Sequence, residues 1–196
     1  MVVNLPESAI TLVPPCHEWL PAFEQALAAG WSPNTERDVS AEQLAELRRD
    51  PDAYLRDLLY GTTVRLDDGR VVPRLPSRDF WILDGEFCGR IGLRFQRGTE
   101  ALPPMALGHI GYGIVPWKRR RGYATEALRQ ILPVARAEGL HRVLITCDDD
   151  NEASKKVILA NGGFYSGTIR HPTRPGRRKL AYWVSTAPDL TPSARP

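Results

Sequence analysis

The stretch Ile114-Val-Pro-Trp-Lys-Arg-Arg-Arg-Gly-Tyr-Ala-Thr-Glu-Ala127 decides how this chain is read. Apolar residues stop at Pro116, basic residues follow, and Gly122 opens the longest helical pattern in the sequence, Gly122–Glu138. Within it Ala124, Leu128, Ile131 and Ala135 recur at the spacing of one helical face. A helix start exposes unpaired amides at the positive end of the helix dipole, so a strand-to-helix turn of this kind suits a phosphate. Gly122 and Ala124 are small enough to let a ligand approach the backbone. Arg119, Arg120 and Arg121 add charge for further phosphates. Taken alone, the pattern also fits a tight turn with solvated arginines. Two other phosphate loops do not fit: G-x-x-x-x-G-K-[ST] is absent, and Gly111-Tyr-Gly113 lies inside a predicted strand with no third glycine.

Working outward, Pro133 inside the helical run predicts a kink or a missing hydrogen bond, and Gly139 is a natural stop. Arg142–Cys147 is apolar and β-branched, a buried strand. Asp150 or Asn151 caps a helix to Asn161, and Phe164–Ile169 and Lys179–Val184 are two last strands around a basic turn. Upstream, Asp79–Leu83 and Phe87–Phe95 flank Asp84-Gly85 and predict a hairpin, with Gly108–Val115 as the next strand. Residues 61–78 are turn-rich, with Asp68-Gly69 as a hairpin tip. The first third predicts an edge strand at Ala9–Val13 and helices at His17–Ala29, Ser40–Arg49 and Pro51–Leu58. In the second of these, Ser40 and Gln43 read as a capping box. Pro188–Pro196 reads as a frayed tail. The order predicts a mixed α/β fold with a central, mostly antiparallel sheet flanked by helices, and a parallel pair from the strand–helix–strand at 108–147.

The chain has 196 residues, 42% of them hydrophobic, which suits one domain with a real core. The sequence has no apolar run long enough to span a membrane and no signal-peptide pattern at its start, so a soluble cytoplasmic protein is expected. Net charge is +3 but unevenly placed: residues 1–60 carry 4 basic and 10 acidic side chains, and residues 117–181 carry 14 and 6. The second half therefore reads as meeting something anionic. Three widely spaced cysteines, Cys16, Cys88 and Cys147, predict neither a disulfide framework nor a metal site. Asp148-Asp-Asp150 reads as a solvated turn and cap rather than a metal site. The basic loop of Arg170, His171, Arg174, Arg177, Arg178 and Lys179 reads as solvated by default.

Arg119-Arg-Arg-Gly122-Tyr-Ala124 resembles the R/Q-x-x-G-x-G/A acyl-CoA signature of the GNAT N-acetyltransferases. A second family block follows at the proper distance, as Val143–Cys147, Asn151-Glu-Ala-Ser154 and Asn161-Gly-Gly-Phe164. The run His109-Ile-Gly-Tyr-Gly-Ile-Val-Pro116 is similar to the bacterial predicted-acetyltransferase branch, and the resemblance covers about 80–175. It implies one GNAT-like domain over 1–196, with a variable helical part at 1–78, an acyl-CoA-binding core at 79–185 and a tail at 186–196, and a sheet splayed to admit the cofactor. It implies acetyl-CoA as co-substrate, no metal, and a small or protein-borne primary amine as acceptor. A homodimer is compatible with it. Amides from Arg120 to Thr125 (Arg120, Arg121, Gly122, Tyr123, Ala124 and Thr125) would hold the pyrophosphate. Ile114 and Val115 would pair with the pantetheine arm, with Asn151 and Ser154 on its other side. An amide near Val115 would stabilise the oxyanion.

His109 stands near the position of the family's strand glutamate, as a candidate general base or else as a hydrogen-bonded strand histidine. The family's general-acid tyrosine is replaced by Ile158. That replacement supports the alternative of a non-catalytic acyl-CoA-binding module. A nucleic-acid-binding protein is the weaker alternative, because the interleaved aromatics of a stacking platform are missing. The acidic first half suggests a cationic acceptor.

Overall fold

The computed structural model describes residues 9–66 and 69–187. Its elements in chain order are β1 (Thr11–Val13), α1 (Leu20–Ala28), α2 (Ser40–Arg49), α3 (Pro51–Tyr60), β2 (Thr63–Arg65), β3 (Val71–Pro73), β4 (Ser77–Leu83), β5 (Phe87–Arg94), β6 (Ile110–Ile114), α4 (Tyr123–Ala137), β7 (Arg142–Cys147), α5 (Glu152–Ala160), β8 (Phe164–Arg170) and β9 (Arg178–Ser185). The strands form a four-stranded sheet in the order β1-β4-β5-β6, a three-stranded sheet in the order β7-β9-β8, and the small β2-β3 hairpin.

Helix α4 joins the two larger sheets. Its apolar face, Ala127, Leu128, Ile131 and Ala135, is fully buried against Ile82, Ile91, Leu93 and Ile110 of one sheet and Val143 and Ile145 of the other. Burying a side chain of that size stabilises by about 1.5–3 kcal/mol, so this stripe is the main tie between the sheets. The helix runs unbroken through Pro133. The opposite face of the first sheet belongs to α1–α3: Phe23 stacks on Trp81 at 5.1 Å, and Leu20, Leu27, Trp31, Leu47 and Leu55 close around Phe87 and Val115.

Two local expectations are corrected. First, every ladder is antiparallel, so the 108–147 unit forms no parallel pair. The sheets meet instead at a single bridge between Gly108 and Ile145. Second, Ser40 is no cap. Asp38 accepts both its N–H (2.8 Å) and its hydroxyl (2.6 Å), because an ionised carboxylate is the stronger acceptor for the helix start. Residues 61–78 contain the antiparallel β2-β3 pair, in keeping with the hairpin expected there. Asp68 of the expected tip lies outside the described residues, as does the 188–196 tail. Asn151 does cap α5, its Oδ1 accepting the Ser154 N–H at 3.0 Å.

Candidate functional site

β6 has one ladder partner, β5, and β7 has one, β9, so the edges they turn toward each other are unladdered beyond the Gly108 bridge. At either end of β6 the odd-numbered residues bond to β5: the Arg94 N–H donates to His109 O, and the Val115 N–H to Cys88 O. Antiparallel alternation therefore turns the backbone groups of Ile110, Tyr112 and Ile114 toward the gap. Val115 is corrected on this point. Its amide is engaged by Cys88, its carbonyl accepts from Lys118, and it is fully buried, so it offers nothing to a ligand or an oxyanion. Ile114 keeps its gap-facing N–H, while its carbonyl accepts from Arg119 Nε at 3.1 Å.

The chain leaves β6 through a 3-10 turn, Pro116–Lys118, into the basic loop. Arg120 has φ +65°, the one non-glycine positive φ among the described residues. Such a residue costs of order 1–3 kcal/mol and is kept where the surroundings require it. Gly122 follows at φ +79°, and a Cβ added there would meet no atom within 4 Å. The first backbone bond of α4 runs from the Glu126 N–H to Gly122 O, and no side chain caps the helix start. The amides of Tyr123, Ala124 and Thr125 thus lack intrahelical partners, and Arg119, Arg120 and Arg121 are exposed beside them. Unpaired amides at a helix start are donors suited to an anion.

The loop is anchored by a residue that motif reasoning missed. Asp84, at the β4-β5 turn, accepts from Lys118 Nζ at 3.0 Å on both oxygens and from the Tyr123 hydroxyl at 2.6 Å. Lys118 also pairs with Glu86 at 2.6 Å. Burial opposes ionisation of Asp84, yet the bonds from Tyr123 and Lys118 prevail and hold its carboxyl well below the usual range. Asp84-Gly85 reads completely as a hairpin turn, so nothing in the sequence marks this second role.

On the other side of the gap, the Ser154 Oγ and Tyr112 hydroxyls lie 2.8 Å apart, linking α5 to β6. Ile158, expected from the sequence to stand at the family's tyrosine position, is fully buried in the core. Asn161, at the end of α5, donates to Thr125 O at 3.1 Å and so ties the second motif to the first turn of α4.

His109 is fully buried. Its N–H donates to Leu144 O at 2.7 Å, and its Nδ1 accepts the Leu144 N–H at 2.8 Å. That contact places the ring proton on Nε2, which has no partner among the described residues. Burial, the largest influence, pushes its pKa down to about 4.

A segment from α1 to α2 crosses to the second sheet. Trp31 lies over Gly113 of β6, while Glu36 accepts from His171 Nε2 at 3.1 Å and from Lys179. Asp148 accepts from Arg177 at 2.8 Å and Lys179 at 3.2 Å. The basic loop is therefore not simply solvated: His171, Arg174, Arg177 and Lys179 bind within the chain.

A family model described as an acetyltransferase (GNAT) domain matches residues 32–163. This chain belongs to the GNAT acetyltransferase family. Among solved structures, RimJ of Mycobacterium smegmatis in complex with CoA-disulfide aligns with TM-score 0.62 and 22% identity, over 90% of this chain and 81% of that one. The microcin C7 self-immunity acetyltransferase MccE in complex with acetyl-CoA and AMP aligns at 0.60 and 13%, over 91% and 93%. A spermidine N-acetyltransferase SpeG chimera from Vibrio cholerae and hSSAT aligns at 0.61 and 14%, over 91% and 96%. These likenesses confirm the mixed α/β GNAT fold. No curated protein matches the chain by sequence. Among the described residues, no helix is long and apolar enough to cross a membrane.

Proposed function

We propose that this GNAT protein transfers an acetyl group from acetyl-CoA to a primary amine by direct attack on the thioester. The observation that carries the reading is the uncapped start of α4, three free amides beside Arg119–Arg121, set at the end of a strand whose inner edge is unladdered. The amides of Arg120–Thr125 would hold the pyrophosphate, and the gap-facing groups of Tyr112 and Ile114 would pair with the pantetheine arm as an added strand does. Asn151 and Ser154 would line the opposite side of that arm.

A thioester is already activated, so the protein's main contribution is to align amine and carbonyl. The buried lone pair and lowered pKa of His109 support a structural role, with the amine losing its proton to solvent. The Tyr112–Ser154 hydroxyl pair would return a proton to the departing thiolate, the role left by Ile158. Thermal stabilisation by CoA, followed by thiol release from acetyl-CoA across an amine panel, tests the proposal. Stabilisation without turnover on any amine would favour a non-catalytic acyl-CoA-binding module, and absence of both would remove the CoA site altogether.

A further inference from the structure

We infer that the acceptor amine carries a negatively charged group, which Arg94 binds on the face of β5 and β6 opposite α4. The inference rests on the acyltransferase reading above and names the acceptor class for that site. A ligand on the inner edge of β6 has the packed α4 core on one side, where Ile110 is buried. The other side is floored by glycine. Cross-strand register sets Asp79, Gly92 and Gly111 in one row and Trp81, Arg90 and Gly113 in the next. Gly111 and Gly113 are half-buried and present no side chain, with Trp31 forming a wall over Gly113. An amine reaching the middle of β6 arrives over these glycines.

The charge on this face runs against the cationic acceptor suggested by composition. Every carboxylate near it is already matched. Asp79 accepts from Arg74 at 3.2 Å and from Arg90; Glu36 is held by Lys179 and His171; Asp148 by Arg177 and Lys179. Arg74 and Arg90 are further engaged by backbone carbonyls of Asp57, Leu58 and Pro33. Arg94 differs: it is exposed, its guanidinium donates to no other described residue, and a terminal nitrogen lies 3.6 Å from where a Cβ of Gly111 would stand. Its charged neighbours are Arg90, Asp79, Arg74 and Glu36, and the carboxylates among them are the ones just matched. A free guanidinium over a glycine floor is a fork for a carboxylate or phosphate, and its charge is permanent at any working pH.

The test uses the full chain with saturating CoA, and three probes in calorimetric titrations: an acidic tripeptide with a free N-terminus, phosphoethanolamine, and spermidine. The acidic tripeptide or phosphoethanolamine should bind at least tenfold more tightly than spermidine, and which of the two leads tells carboxylate from phosphate. Arg94→Ala should weaken the preferred probe about tenfold while leaving the thermal shift by CoA unchanged, and Arg94→Lys should restore part of the loss. Spermidine binding as well as the anionic probes, no binding of either anionic probe, or wild-type affinity in Arg94→Ala would each overturn the inference. A wild-type protein that CoA does not stabilise would instead overturn the acyltransferase reading on which it rests.

Discussion

The Leu144 N–H donates to Nδ1 of His109, so an imidazole takes the place of a backbone carbonyl where the two sheets touch. The His109 N–H returns a bond to Leu144 O, and the pair closes one end of the cleft between β6 and β7. A histidine used this way is neutral, and its accessible lone pair is spent.

Acid stability should report this directly. The folded pKa of His109 is pushed down to about 4, against about 6.5 in the unfolded chain. Between those values the unfolded state binds a proton that the folded state refuses. Stability therefore falls as pH drops from about 6.5 to 4, by roughly 3 kcal/mol in all. Denaturant titrations of His109→Leu should lack this slope, and at pH 7 the variant should lose about 1–3 kcal/mol because the Leu144 amide is orphaned. Its kcat/KM profile between pH 6 and 9 should keep the wild-type shape. Loss of an acidic limb in the variant would return His109 to the role of base.

Gly122 combines a left-handed φ with open space above it. Gly122→Val should cost about 1–3 kcal/mol of stability from backbone strain. It should also abolish the thermal shift produced by CoA, since the branched side chain would fill the open space beside the helix start. Gly122→Asn, which tolerates this conformation, should retain most of the stability. Undiminished CoA binding in the valine variant would show that the phosphate sits elsewhere.

Asp84 should matter to both stability and cofactor affinity. Removing its charge leaves Lys118 nearly buried with Glu86 as its remaining carboxylate, so Asp84→Asn should destabilise by about 3 kcal/mol at pH 7. The wild-type carboxyl is held low, so its contribution is present above about pH 4 and fades only as pH falls through the depressed folded value. Wild type and variant should converge in strong acid. In steady-state kinetics the variant should raise KM for acetyl-CoA more than it lowers kcat, because the loop is displaced and the chemistry is not.

Ser154→Ala should separate the leaving-group role from binding. The variant keeps the backbone N–H that Asn151 caps, so α5 should stay folded. A fall in kcat of about 10²-fold with little change in KM for acetyl-CoA would match a lost proton donor. An unchanged kcat would mean that the thiolate leaves unassisted.

The strand-to-helix turn at 114–127 was legible because its pattern is local. A strand end, three arginines, a glycine and a helix start follow one another in the chain, and each acts through its own backbone or charge. Asn151 was legible for the same reason, as a cap three residues from the amide it serves. Val115 misled because its burial and its bond to Cys88 depend on β5, a strand that begins 28 residues earlier. The acidic first half was not legible for a related reason. Glu36 meets cations that lie 135 to 143 residues away in sequence, and composition cannot say which charges neutralise each other.

By itself the sequence determined the order of elements, a helix start suited to an anion, and the family, since these follow from periodicity and motif over short spans. Only the tertiary structure decided that β6 and β7 share no ladder, that His109 closes their meeting point, and that Asp84 anchors the basic loop. It also decided that, among the described residues of its face, Arg94 is left without a hydrogen-bonded carboxylate. Those outcomes rest on pairings across the chain. There, burial and competition for hydrogen-bond partners choose among contacts that no local pattern ranks.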